Sequence, residues 1–584
     1  GQFRVQLTSY LFKGGDDRTL GNYRPITLLD VFMKVLMRIH NERLTTAWRR
    51  LGALTDLNAG FTRGRTTASS IMALRVAAAQ ARGKRVNVAV LFDDLAWCFD
   101  SPPRAVIELA LLRLGVPRYF IRLLRDIDNM AMRDTILSFG NASSLTGEYY
   151  RVLFGTAQGS VEGPSLWMAV ADIVIDATVL RARSPALLDA GPMGRGSISN
   201  ASFVDDAGLV QYGPNCVEHL SELATITGKL NYFLGVRRRI KKCVYSRMIW
   251  INGTLQRMCQ REESDRGLAV KEWTACWDSG EVTISESDSI IPEQEHDFEF
   301  RHLGHTASLD GAEHAKMAAL RDSGAAMART IMRSRSSRRH ASTVIKTVVI
   351  PKLKYPLVFA AASTEDMEHI ESAFGTALKH AYRLASTTPW GMLAGDKSYG
   401  GVGVARLEDD VIADRALLMA SAIHSGTPTD RMAMRASLWQ AQMWTGSSTR
   451  VTQMSRAMAN KFSSAPRTLS WALTTSVEMG KAGYQISNLM THDPPADRDA
   501  AIMECVGMSN GEMEALQSWR RDQQLIWMRQ LLRGDGRTVR WRHRAAVKLA
   551  RDGSGHLSTV MNRIFPSARK AGNNYGKLTT GGRW

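Results

Sequence analysis

Cysteine is scarce and unpatterned in these 584 residues. The six, Cys98, Cys216, Cys243, Cys259, Cys276 and Cys505, include no C-x-x-C pair and form no regular framework. That argues against a disulfide-stapled scaffold or a zinc site and reads as reduced thiols of an intracellular protein. No unbroken apolar run of about 18 residues exists, so no membrane span is predicted. No secretory signal precedes the first motif, and no internal repeat is evident. The chain starts at Gly1 rather than Met and reads as a piece of a longer reading frame or a processed chain. Acidic charge is in the minority: 56 Asp and Glu face 75 Lys and Arg, a formal net charge of +19. So large an excess points to a polyanionic partner, because each cation that meets a phosphate releases a condensed counterion. The plainer alternative is a generally basic solvated surface.

What is present is an ordinary globular composition, 44% hydrophobic and 22% charged, of a length that suits about two to four domains. A helix is expected from Arg65 to Ala81 with Thr66 or Thr67 as cap. VNVAVLF, residues 86–92, reads as a buried strand ending at Asp93-Asp94. Pro102-Pro103 opens a helix that Gly115 stops, and Gly163-Pro164 opens an apolar stretch over 165–181. SFVDDAGLVQY suggests a hairpin with Asp205 and Asp206 at or beside its turn. A further helix is expected from Val217 to Leu234. Residues 254–300 hold twelve acidic side chains against four basic ones; within them WTACW-DSGE-VTIS reads as a hairpin in a surface insertion. From about residue 310 the pattern is helical.

The acidic pairs carry the chemical interest. Two-metal nucleotidyl transfer needs carboxylates holding divalent ions about 4 Å apart. Mg2+ suits a few carboxylates completed by phosphate and water. A carboxylate on one strand facing a pair on an adjacent hairpin would supply that arrangement. Asp-Asp at a turn is also common simply because Asp suits turns.

The order of the motifs resolves that ambiguity. The chain resembles the reverse transcriptases of non-long-terminal-repeat (LINE-type) retrotransposons, relatives of group II intron reverse transcriptases, over roughly residues 10–410. KGGDDRTLGNYRPITLLDVFMKVLMRIHNERL resembles the amino-terminal fingers motif, with Arg24 in its core, and AGFTRGRTTASSI the next. Arg63 and Arg65 there suit a phosphate or template backbone; a surface ion pair is the alternative. FDDLAWCFDS resembles the first palm motif. It implies Asp94 as metal ligand, with Asp93 as rival, Asp100 as structural, and Phe99 as an aromatic gate against a ribose 2′-hydroxyl; an ordinary core aromatic is the alternative for Phe99. FGTAQGSVEGPSLW resembles the segment that supports nucleotide and template. Gln158 and Gly159 stand at its centre, and Ala157 stands where the family often has Arg.

SFVDDAGLV resembles the metal-binding hairpin, with Asp205 and Asp206 as ligands and Val204, read as strand, where the family has Ala. LGVRRRIKKC places Lys242 where the family's lysine stands, able to protonate or neutralise the leaving pyrophosphate, with Lys241 a close rival. FRHLGHT resembles the primer grip, centred on Leu303-Gly304, with His302 read as packing. ASTVIKTVVIPKLKYPLVFAA and SYGGVGVARLEDD resemble the thumb helix and the glycine-rich segment after it. Arg329, Arg333, Arg335, Arg338 and Arg339 suit a duplex backbone or a solvated helix face. In the tail, Trp519, Trp527 and Trp541 lie among ten basic residues. They suit single-stranded nucleic acid, or else a helix whose tryptophans are core.

The resemblance implies an α+β right-hand polymerase. Fingers span 1–85, an antiparallel-sheet palm 86–250, an acidic insertion 251–299, the primer grip 300–309, a helical thumb 310–430 and a helical basic extension 431–584. It implies an RNA-directed DNA polymerase using two Mg2+ ions, with Mn2+ as substitute. An RNA template, a DNA primer and deoxynucleoside triphosphates would be its partners, with no membrane. The family setting is the nucleus or a ribonucleoprotein particle. No nuclease is recognisable on either side of the polymerase motifs, so this piece is expected to polymerise without cutting its target. The rival class is a catalytically retired relative acting as an RNA-binding or scaffold component. A third reading, an RNA-directed RNA polymerase, is opposed by Phe99 and the fingers motifs.

Overall fold

The structure is a computed structural model that describes residues 5–564 apart from 63, 97, 138–139, 152–153, 157, 263–265, 279–280, 312, 335, 467, 469, 488, 490–500, 505–506 and 532–555. Arg63, Ala157, Arg335 and Trp541 therefore lie outside the described residues.

The architecture is mixed α+β. Its centre is a sheet in the order Gly267–Asp278, Glu281–Gln294, Val244–Ile251, Val88–Ala96, Asp206–Tyr212, Asn200–Phe203. Val88–Ala96 begins with Val, Ala, Val and Leu buried on both faces, the composition expected of a strand covered by helices on each side. Its alternation sorts two cores. Val88 and Val90 pack with Ile71, Leu74 and Ala78 of the Thr67–Lys84 helix. Ala89 and Leu91 pack with Cys216, Leu220 and Ala224 of the Cys216–Phe233 helix. The strand runs through Asp93-Asp94 rather than ending there, because both residues pair with the neighbouring strand.

Local chemistry explains the helix starts. The Thr66 side chain accepts from Ala68 N–H and caps the Thr67–Lys84 helix. Pro103 precedes Arg104–Arg113, and Pro164 occupies the first turn of Gly163–Arg181. That last helix is long and apolar enough to cross a membrane by composition alone, although Asp172 and Asp176 break any apolar run. Here it is a core helix. Trp167, Met168 and Val170 are buried, and Asp172, fully buried, pairs with Arg113 at 2.9 Å and accepts from Thr55 N–H at 2.9 Å.

The acidic hairpin Gly267–Asp278 with Glu281–Gln294 is longer than the sequence suggests and more than surface decoration. Its base joins the central sheet: Tyr245 and Ser246 pair in parallel with Glu293 and Gln294, the one parallel step in an otherwise antiparallel ladder. Leu268, Val270 and Ile291 are buried there.

A second sheet holds Tyr23–Leu28, Val5–Phe12, Met132–Leu137 and Gly140–Asn141 in that order. Past Glu313 the described chain is helical, including His314–Arg333, Ile350–Phe359, Thr364–Tyr382, Leu407–His424, Pro428–Thr445 and Trp471–Ala482. Arg415, fully buried, donates to the carbonyls of Leu357, Ala360 and Ala362 at 2.8–3.1 Å. Its cation thereby satisfies the orphan carbonyls that end the Ile350–Phe359 helix. Trp519 and Trp527 are buried, and between them Arg520 donates to the carbonyls of Met443 and Trp444. For these two tryptophans the core reading holds; rings packed inside cannot stack on bases.

Candidate functional site

Strand register brings the acidic residues together. In the antiparallel pair Val88–Ala96 and Asp206–Tyr212, Asp94 stands directly opposite Asp206, and Asp93 opposite Ala207. Asp205 sits exposed at the turn before it. Like charges facing across a ladder destabilise it, and the carboxyls show the strain. Burial first, then Asp205 and Asp94, push Asp206 up to about 6. Burial also raises Asp94, with Asp205 adding to it while Arg239 and Lys242 oppose it.

The two neighbours Asp93 and Asp94 point to opposite faces of their strand. Asp93 is buried and fully engaged: Arg238 Nε donates to Oδ1 at 2.8 Å and Nη2 to Oδ2 at 2.6 Å, and Cys243 Sγ lies 3.4 Å from Oδ1. That bidentate pair makes Asp93 a structural acid. Asp94 is half-buried, and its Oδ1 has no hydrogen-bond partner among the described residues. The turn between the strands is unusual. Val204 is left-handed at φ 62° rather than extended as the sequence suggests, a conformation costly for a β-branched residue. Trp167 Nε1 holds it by donating to Val204 O at 2.9 Å.

Asp205 opens onto a cavity of about 430 Å3 that Phe99, Gln158, Gly159 and Arg24 also line. Phe99 is part-buried between Phe61 and Trp167, with ring centroids at 6.1 and 6.2 Å. Gln158 Nε2 donates to Asp100 Oδ2 at 3.0 Å, and Gln158 O accepts from Thr27 N–H at 2.6 Å. Gly159, at φ 103°, has Thr27 O 2.6 Å from where a Cβ would stand. Its need for glycine is therefore the close approach of the Tyr23–Leu28 strand, not only that of a ligand. Arg24 is on that same strand, exposed at the cavity.

Arg65 is a correction. Its Nη1 donates to Thr55 O at 2.7 Å and Asn58 O at 2.6 Å, and Nη2 meets Asp56 at 3.2 Å. A guanidinium so occupied staples its own loop instead of gripping a phosphate. Lys242 is exposed in the Ile240–Lys242 turn, and its charge reaches Asp94. Three cavity residues escaped the sequence reading: Lys13, Phe61 and Arg239. Phe61 is left-handed at φ 49° and half-exposed, and Arg239 Nη1 stands 3.7 Å from Asp94 Oδ1.

Leu303-Gly304 forms the turn between Phe300–His302 and His305–Ala307, with φ 52° and 76°. Tyr355 Oη donates to Leu303 O at 2.8 Å and shares a 2.8 Å hydrogen bond with Thr67 Oγ1. Phe92, two residues before Asp94 on the same strand face, packs at a tilt against Phe300 and His302, with ring centroids at 3.9 and 5.1 Å. His302 is buried, and burial lowers it to about 4; it packs, as expected. Arg329, Arg333, Arg338 and Arg339 are exposed and form no ion pair among the described residues.

Among the described residues no three His, Cys, Asp or Glu side chains converge closely enough to hold a metal ion as they stand. The donor set nevertheless fits one in kind: two mutually repelling carboxylates in ladder register, a third beside them, and a buried Asp94 oxygen that accepts no hydrogen bond among the described residues. Such groups are relieved by a divalent cation.

No protein-family model matches the chain. It is 22% identical over 429 residues to the retrovirus-related Pol polyprotein from the type-1 retrotransposable element R2 of Popillia japonica, which covers 73% of this chain and 54% of that protein. The chain thus spans about half the length of that relative. Among solved structures, telomerase from Candida albicans in complex with a fragment of telomeric RNA superposes with a TM-score of 0.31 at 10% identity, over 68% of this chain and 64% of that one. That superposition is too loose to assign a fold. What the comparisons add is a weak sequence likeness to one retrotransposon Pol polyprotein, in line with the resemblance that the ordered motifs carry to the reverse transcriptases of non-long-terminal-repeat retrotransposons.

Proposed function

We propose that the chain is an RNA-directed DNA polymerase, extending a DNA 3′-end with deoxynucleotides on an RNA template. The observation that carries this is the register that sets Asp94 against Asp206, with Asp205 opening onto a cavity rimmed by Lys13, Arg24 and Arg239. Carboxylates and cations around one cavity suit a metal-bound triphosphate. Asp94, Asp205 and Asp206 would hold Mg2+, with Mn2+ as a substitute; the bound ions would activate the attacking hydroxyl and screen the triphosphate. Lys242, whose charge reaches Asp94, is suited to meet the departing pyrophosphate.

In this reading residues 1–85 act as fingers, 86–250 as palm, 300–309 as primer grip around Leu303-Gly304, and 310–430 as thumb. Residues 251–299 form an acidic insertion and 431–584 a basic extension. Arg329, Arg333, Arg338 and Arg339, exposed as described, offer the template–primer duplex a cationic face. A nuclear or ribonucleoprotein setting is part of the same proposal and rests on the family resemblance alone.

Primer extension on a primed RNA template, comparing deoxynucleotides with ribonucleotides, tests the function. Deoxynucleotide incorporation alone is expected. Ribonucleotide preference points to an RNA polymerase, and no incorporation of either kind points to the scaffold reading. Phe99→Val should relax sugar discrimination; unchanged discrimination removes Phe99 from the gate.

A further inference from the structure

Two consecutive acids, Asp93 and Asp94, meet two consecutive arginines, Arg238 and Arg239, and the two pairs are built differently. Arg238 and Asp93 are buried, with side chains 4% and 3% exposed, and joined by two short hydrogen bonds. Arg239 and Asp94 are 36% and 33% exposed and 3.7 Å apart, and Asp94 Oδ1 makes no hydrogen bond among the described residues. The backbone of Arg239 is nonetheless fixed. Its N–H donates to Asp94 O at 2.9 Å, and its carbonyl accepts from Lys242 N–H at 2.8 Å. A side chain on a rigid base, loosely paired and lining the cavity beside Asp205 and Lys13, can change partners without moving the chain.

We propose that Arg239 is an exchangeable counter-cation: it neutralises Asp94 until a divalent ion arrives, then turns to the phosphate oxygens of a nucleoside triphosphate in the cavity. This rests on the metal-site reading above. The carboxylate corner has more negative charge than its surroundings compensate, and Arg239 stands where a cation is needed. Its planar fork also suits a phosphate better than a single carboxylate oxygen at 3.7 Å. Arg239 is thus a positioning residue that makes bare metal compete for Asp94 and favours metal arriving with its triphosphate. Lys13 and Arg24, which line the same cavity, would take the outer phosphates.

The test uses the full chain and two affinities. Mn2+ binding without nucleotide is followed by the electron paramagnetic resonance of the free ion. Binding of a non-hydrolysable deoxynucleoside triphosphate analogue is measured with Mn2+ present. Arg239→Gln should tighten bare Mn2+, by up to roughly five-fold on the scale of exposed ion pairs, while weakening the analogue on the order of ten-fold, the scale of a charged hydrogen bond. Arg239→Lys, which keeps the charge but not the fork, should leave bare Mn2+ near wild type and still weaken the analogue. Opposite signs in Arg239→Gln support the exchange; any other pair of signs overturns it, since a merely structural arginine would lower both affinities and a bystander would change neither. Asp205→Asn is run alongside. If it leaves Mn2+ binding unchanged, the metal-site reading itself has failed, whatever Arg239 does.

Discussion

Two charged clusters, one at Glu313 and one at Asp94, Asp205 and Asp206, are handled in opposite ways. At Glu313 everything is paired. Burial works against its charge, yet Arg75 at 2.7 Å, Lys316 at 3.8 Å and the Ala361 N–H at 2.5 Å outweigh it, so the carboxyl sits below its usual range. Lys316, lowered by burial to about 7, also meets His305 Nδ1 at 2.8 Å and Thr306 O at 3.1 Å. That cluster ties the Thr67–Lys84 helix, the hairpin and the helices after it into one body. At Asp94, Asp205 and Asp206 the opposite holds: like charges are gathered beside a cavity that Asp205 lines, with one loosely paired arginine and one exposed lysine near. A structural cluster closes its own account of charge. A functional one leaves a deficit for a ligand to fill.

The contrast can be broken most severely at Glu313. Glu313→Ala removes the buried acid that Arg75 and Lys316 share and should cost about 3–5 kcal/mol, read as a lowered midpoint in urea unfolding. A change under about 1 kcal/mol, the range of exposed pairs, would erase the distinction between the clusters. Asp206→Asn should do the reverse. A folded carboxyl raised to about 6 contributes stability that is present below its unfolded value and lost as pH rises through about 6. Without metal the Asn variant should therefore melt a few degrees above wild type at pH 7.5, and the gap should close near pH 4. Adding Mg2+ should stabilise wild type more than the variant; a gap that ignores pH and Mg2+ alike would show that repulsion is not what marks this corner.

The smallest effect separates the arginines. Arg333→Gln should weaken RNA–DNA duplex binding several-fold and lower the log–log salt slope by about one. Arg65→Gln should leave that slope alone, because its guanidinium is already bound to Thr55, Asn58 and Asp56.

Local punctuation was readable: the Thr66 cap, the Pro103 and Pro164 helix starts and the Asp205 hairpin all stand where residue chemistry puts them. Long-range partners were not. Nothing in FDD says which aspartate is free; that depends on Arg238, 145 residues away. Arg65 looks like an anion ligand until the Thr55 and Asn58 carbonyls fold onto it, and Arg239 is one of three identical letters until pairing of Arg237 and Arg238 with Ala96 and Leu95 brings the next residue to Asp94. The base of the acidic hairpin joins the sheet by a parallel pairing across about 48 positions, which no local pattern announces. Val204 at φ 62° is set by the turn around it, against its own preference.

The most direct test of the central claim pairs two measurements on one variant. Asp205→Asn should lose primer extension in Mg2+ by at least about 100-fold, the scale already reached when a mere partner of a metal ligand is removed. Its affinity for the primed RNA template should stay near wild type, because the many lysines and arginines supply it. A variant that still extends a primer at the wild-type rate would contradict the account.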